Sequence, residues 1–169
     1  MAKLIAFLAA IALLAGVFIY DSRLTPAPME AQENVRAVKG QKAPDFNFRT
    51  MDGKTMSLSA LPGYDEVLIH FWAGWCGVCF EEFPSLLNYV GRQNGKTALI
   101  AIAIDDTLPP AKAFLKRLGA DMDQENVYWT WDSDKSISLK TFGTVAVPET
   151  IVLNRDLVMA DKYTGPHEW

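Results

Sequence analysis

The chain opens on a block of apolar residues, crosses a polar stretch, and then runs as short segments whose hydrophobic spacing changes from one to the next. Residues 4–20 (LIAFLAAIALLAGVFIY) are 17 consecutive positions without a charge, apolar all round rather than on one face. Residues 21–41 hold Pro26, Pro28 and several charges with no apolar periodicity, which describes a tether. Beyond it, Phe46, Phe48, Met56 and Leu58 alternate around Asp52-Gly53, a turn signal, and predict a hairpin. Residues 67–72 (VLIHFW) and 98–104 (ALIAIAI) are continuous apolar runs of strand length, as expected of central strands covered on both faces. Behind the first, Phe83, Leu86, Leu87 and Val90 recur at helical spacing. Behind the second, Ala113, Phe114 and Leu118 do so after Pro109-Pro110 and stop at Gly119. Residues 127–131 (VYWTW) add a third strand, and Ile137, Leu139 and Phe142 mark a short helix. Residues 149–153 and 157–163 form two antiparallel strands about a turn at Asn154-Arg155-Asp156. Strand, helix, strand, helix implies parallel strands joined by right-handed crossovers, so the pattern predicts an α/β fold: a mixed sheet with helices on both faces, preceded by a hairpin.

The chain thus divides into residues 1–20, a tether at 21–41 and a folded domain at 42–169. Lys3 and the free amine precede the apolar block, no small-x-small cleavage site follows Gly16, and Val17 to Tyr20 suit an interfacial anchor. The expectation is an uncleaved, single-pass signal-anchor in the inner membrane, with the domain on the periplasmic or external side. There an oxidising compartment makes cysteine pairs chemically consequential.

Composition narrows the function. With 50% hydrophobic and 21% charged residues the chain is that of a globular protein. After residue 20 it carries 15 basic and 20 acidic side chains, a net charge of −5, and its densest basic group is Lys112, Lys116 and Arg117 on one helix face. Nucleic-acid binding, which rests on neutralising phosphates, is not expected. The only cysteines are Cys76 and Cys79 and the only histidines His70 and His167, which excludes a multi-bridge disulfide scaffold. A four-ligand zinc site would need both distant histidines to converge on the cysteines.

Those cysteines stand in Trp72-Ala73-Gly74-Trp75-Cys76-Gly77-Val78-Cys79, where a buried strand passes into a helix. Two cysteines three apart on a first helical turn share a face and can close a small disulfide. Unpaired N–H groups and the positive end of the helix dipole stabilise a thiolate there. Cys76, nearest the helix start, is expected to be the exposed nucleophile, and Cys79, one turn deeper, the resolving thiol. Glu82 lies three residues further on the same face, where a buried carboxyl could exchange a proton with Cys79; Glu81 beside it reads as solvated. Trp75 reads as a docking surface, Trp72 as core, and His70 as a core histidine within its strand.

The segment Trp72-Ala73-Gly74-Trp75-Cys76-Gly77-Val78-Cys79-Phe80-Glu81-Glu82-Phe83-Pro84 resembles the signature W-A-x-W-C-x-x-C-x-x-E-x-P of membrane-anchored thioredoxin-like proteins of the TlpA, ResA and DsbE (CcmG) group. Gly40-Gln41-Lys42-Ala43-Pro44-Asp45-Phe46 resembles the group's G-x-x-A-P-D-F, and Phe142 to Thr150 is similar to the V-Y-G-x-P-E-T segment of the cytochrome c maturation branch. The resemblance implies a thioredoxin-like fold and a thiol–disulfide oxidoreductase. It implies that Pro148 is cis and faces the cysteines, that Val147 offers its backbone to an extended substrate, and that Glu149 sits beside it. It also implies exported disulfide-containing partners such as apocytochrome c, a membrane electron donor of the CcdA or DsbD type, and no cofactor or metal beyond the redox-active Cys76–Cys79 disulfide. In one respect the chain departs from the group: residues 163–169 (YTGPHEW) stand where a closing C-terminal helix would begin, so that helix is expected to be missing. Two other functions stay open. One is a copper or metal chaperone using the pair as soft ligands. The other is a peroxiredoxin-like antioxidant, disfavoured by Ala73 where a threonine would stand.

Overall fold

The computed structural model describes residues 38–169. The expected anchor at 4–20 and most of the tether lie outside the described residues. Gly40 and Gln41, at the end of the segment read as a tether, already exchange backbone hydrogen bonds with Met159, which places them with the domain.

β1 (Asn47–Arg49) and β2 (Thr55–Ser57) pair antiparallel with Phe48 opposite Met56, and Gly53 supplies the positive φ of the connecting turn. The two continuous apolar runs become β3 (Glu66–Trp72) and β4 (Thr97–Ala103), parallel neighbours, and β5 (Val127–Trp131) continues the sheet beyond β4. β6 (Glu149–Asn154) and β7 (Met159–Thr164) join antiparallel on the other side, giving the order β5-β4-β3-β6-β7. All of β4 is buried, because it sits between two strands and beneath layers on both faces.

Two long helices, α1 (Gly77–Arg92) and α2 (Leu108–Leu118), flank this sheet. α1 buries Cys79, Phe83, Leu86 and Val90 at helical spacing, while α2 has proline in its first turn and ends on Gly119 at φ 67°. Both pack on the same face, against Leu68, Trp72, Leu99, Ala101 and Trp129. The other face is covered by Phe46, Phe48 and Leu58 from the hairpin region and by Ile137 and Phe142 from a single wide helical turn, Ser136–Thr141. Helical elements thus cover both faces, as expected, with the two long helices on one and the short turn on the other. The path β3 to β4 to β5 steps twice in one direction, and two right-handed crossovers in one direction put both helices on one side. The wide turn also leaves Leu139 52% exposed while Ile137 and Phe142 are buried.

Beneath the start of α1 lies an aromatic cluster: Trp72 is 4.6 Å from Phe114 and 5.4 Å from Phe83, centroid to centroid. Removing one such ring would cost about 3–5 kcal/mol, so the floor of the site is rigid. Among the described residues no helix follows β7, and none is long and apolar enough to cross a membrane. Instead Gly165, at φ 93°, turns the chain, and Trp169 comes to rest 5.6 Å from the Tyr89 ring on α1.

Candidate active site

β3 ends at Trp72, and Ala73-Gly74-Trp75 turn the chain into α1 with Cys76 as its N-cap. Cys76 Sγ accepts the Cys79 backbone N–H at 3.2 Å, so the sulfur occupies the place where a helix binds negative charge. Cys76 and Cys79 are joined in a disulfide with Cα atoms 5.3 Å apart. Cys76 is 5% exposed and Cys79 fully buried. Cys76 is thus far less exposed than expected of a nucleophile. The loop ahead of Pro148 lies against it, with the Val147 carbonyl oxygen 4.0 Å from Cys76 Sγ. The Val147–Pro148 peptide is cis.

The turn before Cys76 is fastened from below. Gly74 donates its N–H to both Asp105 carboxylate oxygens, at 3.0 and 2.8 Å, and Asp105 is almost fully buried. Gly74 also lies so close to α2 that a Cβ there would come within 2.4 Å of the Pro110 carbonyl carbon. Asp105 belongs to no motif of the sequence. Its signal is its place: the C-terminal ends of parallel strands are where α/β sheets gather functional groups, and Asp105 stands just beyond the end of β4, next to β3.

Glu149, expected at the substrate site beside Val147, is 4% exposed. It opens β6 between β3 and β7, paired with Phe71 and Thr164, and its carboxylate is buried. That carboxylate accepts hydroxyl hydrogen bonds from Thr144 and Thr164 and pairs with Lys162. Trp75 stands 69% exposed, with Val78 also exposed beside the cysteines and Val145 exposed on the loop facing them. Trp72 is fully buried.

Glu82 is 5% exposed, whereas Glu81 is open to solvent. Burial pushes the Glu82 carboxyl above the usual range, and an indole hydrogen bond from Trp169 to Oε1, 2.7 Å long, acts against that. Its Oε2 is buried without a partner. Nothing in the sequence pattern pointed to Trp169, because its contact depends on the chain doubling back at Gly165.

His70 is a core residue. Its Nδ1 lies 2.8 Å from Thr150 Oγ1, its ring meets Phe83, and burial alone pushes its pKa down to about 3. Among the described residues no three His, Cys, Asp or Glu side chains group as metal ligands.

A thioredoxin-type sheet that presents a Cys-x-x-Cys disulfide at a helix N-terminus, with a cis proline against it, defines a thiol–disulfide oxidoreductase. Comparison with known proteins agrees: the sequence profile of the Redoxin family matches residues 38–169, and the chain belongs to that family. It is 27% identical over 135 residues to the thioredoxin-like protein YneN of Bacillus subtilis, covering 80% of this chain and 76% of that one. To the thiol-disulfide oxidoreductase ResA of the same organism it is 27% identical over 128 residues, 75% of this chain and 68% of ResA. The crystal structure of a candidate thiol:disulfide interchange protein DsbE from Chlorobium tepidum superposes with a TM-score of 0.66 at 26% identity, covering 77% of this chain and 87% of that one.

Proposed function

We propose that the protein reduces disulfides of exported proteins during cytochrome c maturation, its substrate being the haem-attachment cysteines of apocytochrome c. The observation that carries the chemistry is Cys76 Sγ at the N-cap of α1, facing the Val147 carbonyl. In the reduced protein the Cys76 thiolate attacks a substrate disulfide; that S–S bond breaks, one substrate sulfur leaves and takes a proton, and the other is joined to Cys76. Glu82 takes the proton of Cys79, whose sulfur then attacks Cys76 Sγ. The Cys76–Cys79 bond forms, the second substrate sulfur leaves, and the substrate has gained the two electrons the pair has lost. The Val147 backbone lines the extended substrate segment and Trp75 gives it an apolar contact, while Pro148 and Glu149 hold the loop in place.

A membrane donor of the CcdA or DsbD type restores the dithiol. Residues 4–20 act as the anchor, with the domain on the periplasmic side and the tether letting it reach that donor. An oxidising compartment already makes disulfides, so a dedicated anchored carrier is of most use in undoing them where free thiols are needed. The Val147-Pro148-Glu149-Thr150 segment and relatives named ResA and DsbE support the maturation role. Deleting the gene should lower covalently attached haem, and an added small-molecule thiol should restore it. Normal c-type cytochromes in the deletion strain would overturn the substrate assignment. A protein found wholly in the soluble fraction after cell breakage would overturn the anchor.

A further inference from the structure

Five residues after β7 connect the two sides of the active site. Gly165 donates its N–H to the carbonyl of cis-Pro148 at 2.8 Å. From there the chain crosses to α1, with His167 stacked on Tyr163 at 3.8 Å and Trp169 edge-on to His167 at 4.9 Å. It ends in the 2.7 Å hydrogen bond from the Trp169 indole to Glu82 Oε1. A cleft of about 500 Å³ lies between this strap and α1, lined by Val78, Glu81, Glu82, Ser85, His167 and Trp169.

We propose that Trp169 is a positioning residue for Glu82, fixing which oxygen of the carboxyl exchanges a proton with Cys79; this rests on the reading of Glu82 as the proton acceptor. A buried carboxyl with no donor could turn and take its proton on either oxygen. With Oε1 held by the indole, the buried and unpartnered Oε2 is left as the oxygen that takes the proton. The indole does a second thing: a donor to the carboxyl favours its charged form, so it keeps a carboxylate available in a place where burial opposes one. The His167 backbone N–H acts on the carboxyl in the same sense as the indole, and the other groups bearing on Glu82 are the Glu81 and Glu168 carboxylates and the His167 ring along the cleft, Cys79 one turn back, and Tyr89 and Tyr163 in the aromatic contacts of the strap. Because Gly165 is bonded to Pro148, the strap ties the position of Glu82 to the loop that receives the substrate.

The test is Trp169→Phe in the full chain, which keeps an aromatic ring and removes the N–H. A mixed disulfide between Cys76 and a small-molecule disulfide is formed, and the rate at which Cys79 resolves it is followed against pH, beside wild type and Glu82→Gln. Trp169→Phe should move the inflection of that profile to higher pH, with about a tenfold loss of rate on its acid side and recovery on its alkaline side. Glu82→Gln should move the inflection further up, to the titration of an unassisted Cys79 thiol, whose thiolate must still form. A Trp169→Phe profile that lies on the wild-type curve, or is lowered equally at every pH, overturns the positioning role while leaving Glu82 in place. A Glu82→Gln profile that lies on the wild-type curve overturns the reading of Glu82, and the role of Trp169 with it. Should Trp169→Phe disturb folding, Trp169→His, which restores a ring donor, should recover the wild-type inflection; failure to do so also counts against the proposal.

Discussion

Glu149 Oε2 lies 3.0 Å from Lys162 Nζ, and the same carboxylate takes hydroxyl hydrogen bonds from Thr144 and Thr164, so one buried acid ties the loop ahead of the cis proline to the edge strand β7. Breaking a fully buried ion pair costs about 3–5 kcal/mol, but the Lys162 side chain is 29% exposed and can turn to water. Glu149→Ala should therefore lower stability by about 2 kcal/mol, and Glu149→Gln, whose one amide oxygen keeps an acceptor for either Thr144 or Thr164 but not both, by about 1 kcal/mol. Urea denaturation measures both. Substrate affinity should fall in the same order, since the loop that carries Val147 loses its brace.

The two cysteines should be kinetically distinct once reduced. Cys76 holds its sulfur at the N-cap and keeps the only exposed surface of the pair, so it should be alkylated first near neutral pH, as peptide mapping after a short pulse would show. Cys76→Ser should abolish turnover. Cys79→Ser should accumulate mixed disulfides with substrate, and faster labelling of Cys79 would reverse the assignment.

Much of this arrangement is legible in the chain itself. Residues 67–72 and 98–104 read as central strands because burial on both faces leaves no polar alternation, and the cysteine pair stands out because a strand feeds straight into its helix. What escapes the pattern is whatever depends on strand order or on the chain folding back. Asp105 looks like any loop aspartate until β4 is placed beside β3, and only then does it meet the Gly74 N–H. Glu149 looks like a surface acid until β6 is found between β3 and β7. Trp169 lies 87 positions from Glu82, and no local periodicity relates them.

The close approach at Gly74 gives a sharp stability test. An added Cβ would meet the Pro110 carbonyl carbon at 2.4 Å, its oxygen at 2.5 Å and the Ala111 nitrogen at 2.8 Å, all backbone atoms at the start of α2 that cannot rotate away. Gly74→Ala should cost about 3 kcal/mol and slow Cys76 alkylation, because the N–H that Asp105 holds is displaced with the turn. Gly91→Ala, in α1 with nothing within 4 Å of the added carbon, should instead gain about 0.5–1 kcal/mol. Thermal denaturation of the two variants compares them directly.

The fully buried His70 should make the domain sensitive to acid. Burial pushes its pKa from 6.5 down to about 3, so between those values the unfolded chain binds a proton that the folded chain refuses. The state that binds more protons gains as pH falls, so this contribution to stability is complete above pH 6.5 and is lost progressively toward pH 3. At about 1.4 kcal/mol per pH unit, acidifying from neutral to about pH 5 should remove about 2 kcal/mol. Glu82 acts in the opposite sense, since its raised pKa lets the folded state hold a proton longer than the unfolded one, and it offsets part of the loss. His70→Asn separates the two: it offers Thr150 a hydrogen-bond partner and cannot titrate. Its urea midpoint should hold or rise slightly over the same acidification while that of the wild type falls. Equal falls in both proteins would show that His70 is not the group that opposes the proton.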